Sequence, residues 1–387
     1  MVSSKQARAM MCYNPAPLAG WRGFMKKKIQ IVAGILVGIG LLWFLFHQSD
    51  WRAVLSALRA VSPMWLILGV LVATQACFSR TMRWAYIVRS SKWVPLRPIF
   101  SASQIGFLAI VALPARLGEI VRVLVLGRLA KLPFSTCMAA AALDRVADLV
   151  SLLVVIVIAL LSYKPVGNVR LPSDLLGSQS DILVSANSIQ KGELATAGVV
   201  LAMMGFLVGV YLYPKLLLGV SDACFGFASK RLAGRVHAFI EHFLEGLSIL
   251  RSPSDMAKAV FFSLATWGIY LLTITIVLLA FHLEFPWYTP FLIEVLVAAM
   301  ISIPLAPGGV GQFHLGVVVG LKIILPDMEL SQAFAISLVT YVVSVIPVIV
   351  LGIFCLFWEE LRLVELSQEG EQPETGIRGE VEGSQPD

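Results

Sequence analysis

The chain has 387 residues, of which 58% are hydrophobic and only 14% charged, with a formal net charge of +6. A soluble globular domain carries about 25% charged residues, so the composition excludes an ordinary soluble enzyme and describes a polytopic membrane protein. The positive balance does not point to nucleic acid, because the basic residues lie in loops beside apolar runs, where the positive-inside rule accounts for them.

Residues 1–27 form a polar, basic tail, and Lys26, Lys27 and Lys28 lead into an apolar run from Ile29 to Phe46. That run has the length of one membrane helix. No small-residue cleavage site follows it, so it reads as an uncleaved first helix with a cytoplasmic N-terminus. An amphipathic linker, Trp51 to Ala60, leads to a second span, Pro63 to Val88. Arg80 and Arg83 share one face near its end. Snorkelling to the interface accounts for them as readily as function does. Arg89, Lys92 and Arg97 mark a cytoplasmic end.

The next apolar run, Ile99 to Leu113, reaches roughly 22 Å at helical rise, short of the roughly 30 Å bilayer core. A Pro- and Gly-containing break and a second apolar arm follow, and basic residues flank both ends. Residues 99–128 therefore read as a re-entrant hairpin entering from the cytoplasm. Ser135 to Tyr163 is a full span, and the polar loop 164–194 is expected outside the cytoplasm.

Ala195 to Val220 spans again. Lys230, Arg231, Arg235 and Arg251 place segment 221–256 in the cytoplasm, where Leu232 to Leu250 has the spacing of an interfacial amphipathic helix. Ala259 to Phe281 spans outward. Residues 289–325 form a second hairpin, broken between Pro304 and Gly311 and entering from outside. Gln332 to Trp358 is the last span, and the acidic tail 359–387 reads as disordered and cytoplasmic.

Residues 28–163 and 195–358 each read span, span, hairpin, span. Three crossings is an odd number, so the second unit must run opposite to the first. The expected fold is an all-α polytopic membrane protein with about six full transmembrane helices plus two re-entrant broken-helix hairpins, arranged as an inverted repeat. Two Pro/Gly-interrupted segments in corresponding halves are the sequence pointer to a transporter-like site.

The first break, Leu113-Pro114-Ala115-Arg116-Leu117-Gly118-Glu119-Ile120-Val121-Arg122, carries three charges inside an apolar region. Each costs roughly 2.5–3.5 kcal/mol at the centre of a lone membrane helix. Arg116, Glu119 and Arg122 are spaced three apart and would share a helix face. On the functional reading the arginines hold an anionic headgroup, since a planar guanidinium donates two parallel hydrogen bonds to phosphate, and Glu119 orients them. On the structural reading they form a salt-bridge cluster that lets the hairpin pack. Arg83 and Arg145 are further candidates for the headgroup set.

Asp144 and Asp148 lie four apart on one face with Arg145 between them. They would balance the hairpin arginines or relay protons, and spacing alone does not separate the two. Gly309 and Gly311 lie in Gly308-Gly309-Val310-Gly311, which lacks the Lys-Ser/Thr of a phosphate loop; they suit a tight turn and offer backbone donors to a headgroup. Glu294 reads as a membrane-edge residue or a partner of His314. The five cysteines and five histidines have no metal-ligand spacing. No cofactor, metal site or catalytic motif is expected.

The segment Leu113 to Arg122, followed by Leu143-Asp144-Arg145-Val146-Ala147-Asp148, resembles the lysylphosphatidylglycerol synthase transmembrane region, a flippase-like integral membrane family. Pro304 to Phe313 is similar to that family's second Pro-Gly-Gly-x-Gly motif. Ala112 departs from the family pattern where a polar Asn is common, and Leu143 where a Glu is. The best-known member fuses this region to a soluble aminoacyl-transferase domain. No such domain follows here, so the resemblance implies lipid translocation rather than lipid aminoacylation.

The expected function is therefore a flippase-like inner-membrane transporter of a phospholipid or lipid-linked anionic substrate. Its headgroup site would use Arg116, Glu119, Arg122, Arg145, Arg83, Gly309 and Gly311. Asp144 and Asp148 would give charge balance or proton relay. The alternatives are a membrane-embedded glycosyl or acyl transferase on a lipid carrier, or a non-catalytic partner of an envelope-biosynthesis complex. Expected partners are membrane lipids and a separately encoded lipid-modifying enzyme, with no nucleic acid. The expected location is the plasma membrane, multi-pass, with both termini cytoplasmic.

Overall fold

A computed structural model describes residues 49–113, 116–163, 168–171, 182–185, 252–302 and 306–369, with scattered helical positions between 40 and 47 and between 191 and 209. The expected spans Ile29–Phe46 and Ala195–Val220, the amphipathic segment Leu232–Leu250 and the outer parts of both tails lie outside the described residues, wholly or in the main.

The amphipathic linker is a short helix, α1 (Trp51–Arg59), because Asp50 caps it: its Oδ1 accepts from Arg52 N at 2.9 Å. Next comes α2 (Pro63–Ser91), started by Ser62 and Pro63. A proline at the first helical position gives up only an N–H that has no helical acceptor. The same Ser-Pro start recurs at Ser252 for α6, below. The first hairpin is α3 (Leu96–Ala112) and α4 (Gly118–Ala130), and α5 (Phe134–Ser162) follows.

The loop after α5 holds a small antiparallel pair, β1 (Asn168–Leu171) and β2 (Ile182–Ser185), with Asn168 opposite Ser185. This ribbon is the one departure from an all-α chain among the described residues. Then come α6 (Pro253–Ala280), α7 (Thr289–Ser302), a 3-10 turn (Pro307–Gly309), α8 (Gln312–Ile324) and α9 (Leu330–Glu369). Helix α9 runs past Glu359, where a disordered tail was expected to start. Its continuation is rich in Glu and Leu, which are good helix formers.

Helices α2, α5, α6, the stretch Pro307–Ile324 and α9 up to Glu359 are long and apolar enough to cross a membrane. At helical rise α3, α4 and α7 reach only roughly 20–25 Å, so each is a partial span. Met64, Ile67, Leu71, Phe261 and Val350 are exposed large apolar residues, as a lipid-facing surface requires.

Helix α2 packs most extensively on α6, and it borders two of three apolar clusters. One cluster joins α1, α2 and α6 to α9 and includes Val277, Val297, Val318 and Phe334. A second joins α2 to α3, α4 and α5 through Trp84, Ile99, Val123 and Leu126. The third, with Ile156, Trp267 and Val295, ties α5 and α6 to α7. Each hairpin closes through a glycine. A Cβ on Gly106 of α3 would lie 2.5 Å from Arg122 Cβ of α4, and one on Gly316 of α8 would lie 2.8 Å from Val297 Cα of α7. Only glycine allows the arms so near.

Candidate functional site

The polar centre forms where α2, α4, α5 and α6 meet. Asp144, 2% exposed, is its hub. Its Oδ1 accepts from Arg83 Nε at 2.7 Å and its Oδ2 from Arg122 Nη1 at 2.7 Å. One carboxylate therefore holds a guanidinium from α2 and another from α4. Burial this complete is tolerated only when each charge has both a counter-ion and hydrogen bonds.

Arg83 reaches further. Its Nη1 donates to Asp148 Oδ1 at 2.8 Å and to Ser263 Oγ on α6 at 3.0 Å. Ser263 in turn donates to the Ala147 carbonyl at 2.8 Å, and Trp267 Nε1 donates to Asp148 Oδ1 at 3.1 Å. At the more open end, Arg145 and Glu119 pair fork to fork, Nη2 to Oε1 at 2.8 Å and Nε to Oε2 at 3.1 Å. Arg145 Nη1 also lies 3.3 Å from Asp148 Oδ2, which closes the chain of pairs.

Aromatic rings order the arginines. Arg122 Cζ lies 3.6 Å from the Trp84 ring centroid and 5.2 Å from that of Phe107. Arg80 Cζ lies 3.6 Å from the other ring contact, the Phe107 centroid. Such stacking attracts a cation to the ring face and fixes its plane.

Arg116 has a different task. It sits at the break with φ +53°, the left-handed region, where a non-glycine residue is uncommon. Its Nη2 donates to the Ile301 carbonyl at 2.8 Å. Ile301 lies in the last turn of α7, where carbonyls lack helical partners. Arg116 thus caps the first arm of the other hairpin. The turn at Gly308 also approaches α3, since a Cβ there would lie 3.2 Å from the Val111 carbonyl oxygen. The two broken segments therefore meet tip to tip.

The spacing of Arg116, Glu119 and Arg122 suggests one shared face, but the three side chains take three separate partners: Ile301, Arg145 and Asp144. Arg83, Arg122 and Arg145 join Asp144, Asp148 and Glu119 in one network. Among the described residues, no hydrogen bond or ion pair joins Gly309 or Gly311 to it. Gly311 N donates instead to His314 Nδ1 at 3.3 Å. Glu294 is half-buried and makes no hydrogen bond to His314. Among the described residues no group of three metal-ligating side chains is assembled.

Sequence reasoning missed Trp84, Phe107, Ser263 and Trp267, and it left Arg80 open between the interface and a functional role. A Trp four residues after Arg80 was the available signal, because residues four apart share a helix face.

The family model described as the lysylphosphatidylglycerol synthase TM region matches residues 31–352. A relative from Haloferax volcanii, glycosyltransferase AglD, is 25% identical over 342 residues, covering 84% of this chain and 54% of that protein. The chain thus spans about half the length of this relative.

Proposed function

The chain belongs to the lysylphosphatidylglycerol synthase TM region family, and from that premise we propose that it is a flippase-like transporter of a phospholipid or lipid-linked anionic molecule. The observation that carries this reading is the contact of the two broken hairpins at Arg116 and Ile301, beside an ionic network set among membrane-length helices. Interrupted backbone at membrane depth persists only where protein or a water-filled path covers it. Ionisable groups there mark substrate pathways by default, and paired broken helices are the usual frame of such a path.

In this mechanism Arg116 meets the anionic group, and Asp144, Asp148 and Glu119 keep the remaining arginines neutralised while the headgroup passes. The hairpins belong to two repeats of opposite orientation in the plasma membrane, with both termini cytoplasmic, as the Lys/Arg distribution of the loops favours. A separately encoded lipid-modifying enzyme is the partner class that would supply the cargo.

The test is reconstitution of the full chain in liposomes with a fluorescent anionic phospholipid. Wild-type protein is expected to move the label between leaflets, and Arg116→Ala to slow it at least tenfold, since charge-assisted hydrogen bonds contribute roughly 1.5–3 kcal/mol. Equal rates in both would reject the role. The name of the Haloferax volcanii relative favours a second reading, glycosyl transfer on a lipid carrier. Sugar transfer from a nucleotide donor to a polyprenyl phosphate by wild-type protein, with no lipid movement, would select it.

A further inference from the structure

Helix α9 engages both hairpins, and it does so with two different halves. Its first half belongs with the second hairpin. Tyr341 donates to the Gly308 carbonyl at 3.2 Å, and its ring centroid lies 5.0 Å from that of His314 and 5.4 Å from that of Phe313. Ala333, Phe334, Ile336 and Val343 join Val317 and Val318 of α8 in the first apolar cluster. Ser331 Oγ accepts from Asp50 N at 2.9 Å, which ties this half to the start of α1. The second half grips the first hairpin. A Cβ on Gly352 would lie 2.5 Å from Leu108 Cβ and 3.0 Å from the Gln104 carbonyl oxygen, both on α3. Ser101 Oγ of α3 donates to buried Glu359 Oε1 at 2.7 Å. Among the described residues, every α9 member of the first cluster precedes Pro347.

Pro347 stands between the two sets of contacts. It has no N–H, so the Val343 carbonyl loses its helical donor, and the proline ring crowds that carbonyl. The turns before it are weakened further. Ser337 Oγ donates to the Phe334 carbonyl at 2.7 Å, Thr340 Oγ1 to that of Ile336 at 2.8 Å and Ser344 Oγ to that of Thr340 at 2.8 Å. Hydroxyls that bond back to the preceding turn often bend a helix. Val342, Ile346, Ile349 and Val350 are exposed, so on that side no packed neighbour opposes a bend. Gly352 lies roughly 7.5 Å beyond Pro347 at helical rise, and a proline bend of about 20° moves it roughly 2.5 Å. The Arg116–Ile301 bond is 2.8 Å long, and at about 3.6 Å such a contact is no longer a hydrogen bond. A bend of this size is therefore enough to part the tips.

We propose that Pro347 is the hinge of a gate. The second half of α9 swings about it, carries α3 along through Gly352 and Glu359, and separates Arg116 from Ile301 while the second hairpin stays with the first half. Closed, the tips seal the path between the hairpins. Open, they release the Arg116 guanidinium, which in the closed form is spent on a neutral carbonyl. The close approach at Gly352 and the buried Ser101–Glu359 bond are the clamp that turns a bend in one helix into a displacement of another. The gate rests on the transporter reading for its purpose, but the hinge is defined by the chemistry of proline and by where the contacts of α9 fall.

The experiment is hydrogen–deuterium exchange, read by mass spectrometry, on the full-length protein in nanodiscs of phosphatidylglycerol and phosphatidylcholine. The rate of lipid movement in liposomes is measured beside it. Pro347→Ala and Pro347→Leu restore the missing N–H, whereas Pro347→Gly keeps the helix weak. In Pro347→Ala the amides of residues 344–351 are expected to exchange at least about tenfold more slowly than in wild type. The amides of Leu113, Glu119 and Val121 close the turns around the first tip. They are expected to slow by a similar factor although they are remote in sequence, and lipid movement to slow with them. Pro347→Leu is expected to repeat this result, and Pro347→Gly to stay within roughly threefold of wild type. The α6–α7 turn, whose Leu283 and Phe285 pack on the first cluster, is on the fixed side and is expected to exchange as before. Wild-type exchange at the tip in Pro347→Ala and Pro347→Leu, equal slowing in the α6–α7 turn, or unslowed lipid movement in a variant whose tip has slowed would overturn the proposal. If tip exchange follows Pro347 but the wild-type protein moves no lipid, the hinge stands and the transport reading falls. If the wild-type protein moves lipid and the restored N–H changes neither rate, the hinge falls and the transport reading stands.

Discussion

The two hairpins share a plan and differ in chemistry. Both pair short helices through a glycine and both are broken at the tip. The α3–α4 hairpin puts Arg116, Glu119 and Arg122 beside the break and sends each to a partner on another helix. The α7–α8 hairpin closes its polar groups on itself and on α9. Gln312 Nε2 donates to the Met300 carbonyl at 2.7 Å, His314 accepts from Gly311, and Tyr341 donates to the Gly308 carbonyl at 3.2 Å. Buried Lys322 donates to the carbonyls of Pro326 and Met328 at 3.2 and 2.6 Å. The first hairpin sets charge beside its break; the break of the second is uncharged and meets it through one carbonyl. Topological repetition therefore does not require functional repetition.

Removing the hub of the charged side should have the largest effect. In Asp144→Asn, Arg83 and Arg122 lose the counter-ion they share while staying buried. Breaking such a pair costs roughly 3–5 kcal/mol, and this loss should appear as reduced stability of the purified protein on titration with SDS. A variant within 1 kcal/mol of wild type would show that the arginines find other partners, and the charged side would then lose its hub.

The contrast was half visible in the chain. Composition and apolar run lengths placed α2, α5, α6 and α9, and short runs with Pro/Gly breaks placed both hairpins. The Asp144–Asp148 spacing correctly set two carboxylates on one side of α5. What spacing within a helix could not reveal was pairing between helices. Arg83 meets Asp144 from another helix, and Arg122 turns away from Arg116 because Trp84 and Phe107 stack on it. The contact of Arg80 was hidden for the same reason: its neighbour is Phe107, on a different helix.

The uncharged break should fail more gently. Gly308 has φ +61°, and a Cβ there would lie 2.8 Å from Tyr341 Oη and 3.2 Å from the Val111 carbonyl oxygen. Gly308→Ala therefore adds backbone strain and a clash, together worth about 1–3 kcal/mol. The same SDS titration should show a loss smaller than that of Asp144→Asn. A loss as large would mean that the uncharged break holds the tips together as firmly as the charges do.

The smallest effect tests whether charge itself or burial sets the scale. Glu119 and Arg145 pair in the geometry that most favours an ion pair, but their side chains remain 29% and 32% exposed. Asp144 and Arg83 pair at 3% and 1%. A pair that keeps part of its hydration contributes about 0–1 kcal/mol, so Glu119→Gln should lower stability by no more than that. The substitution still leaves Arg145 its contact with Asp148, whereas Asp144→Asn leaves Arg122 without a carboxylate. If Glu119→Gln proved as damaging as Asp144→Asn, the network would act as one cooperative unit. Its open end could then not loosen for a passing headgroup while its buried end stays shut.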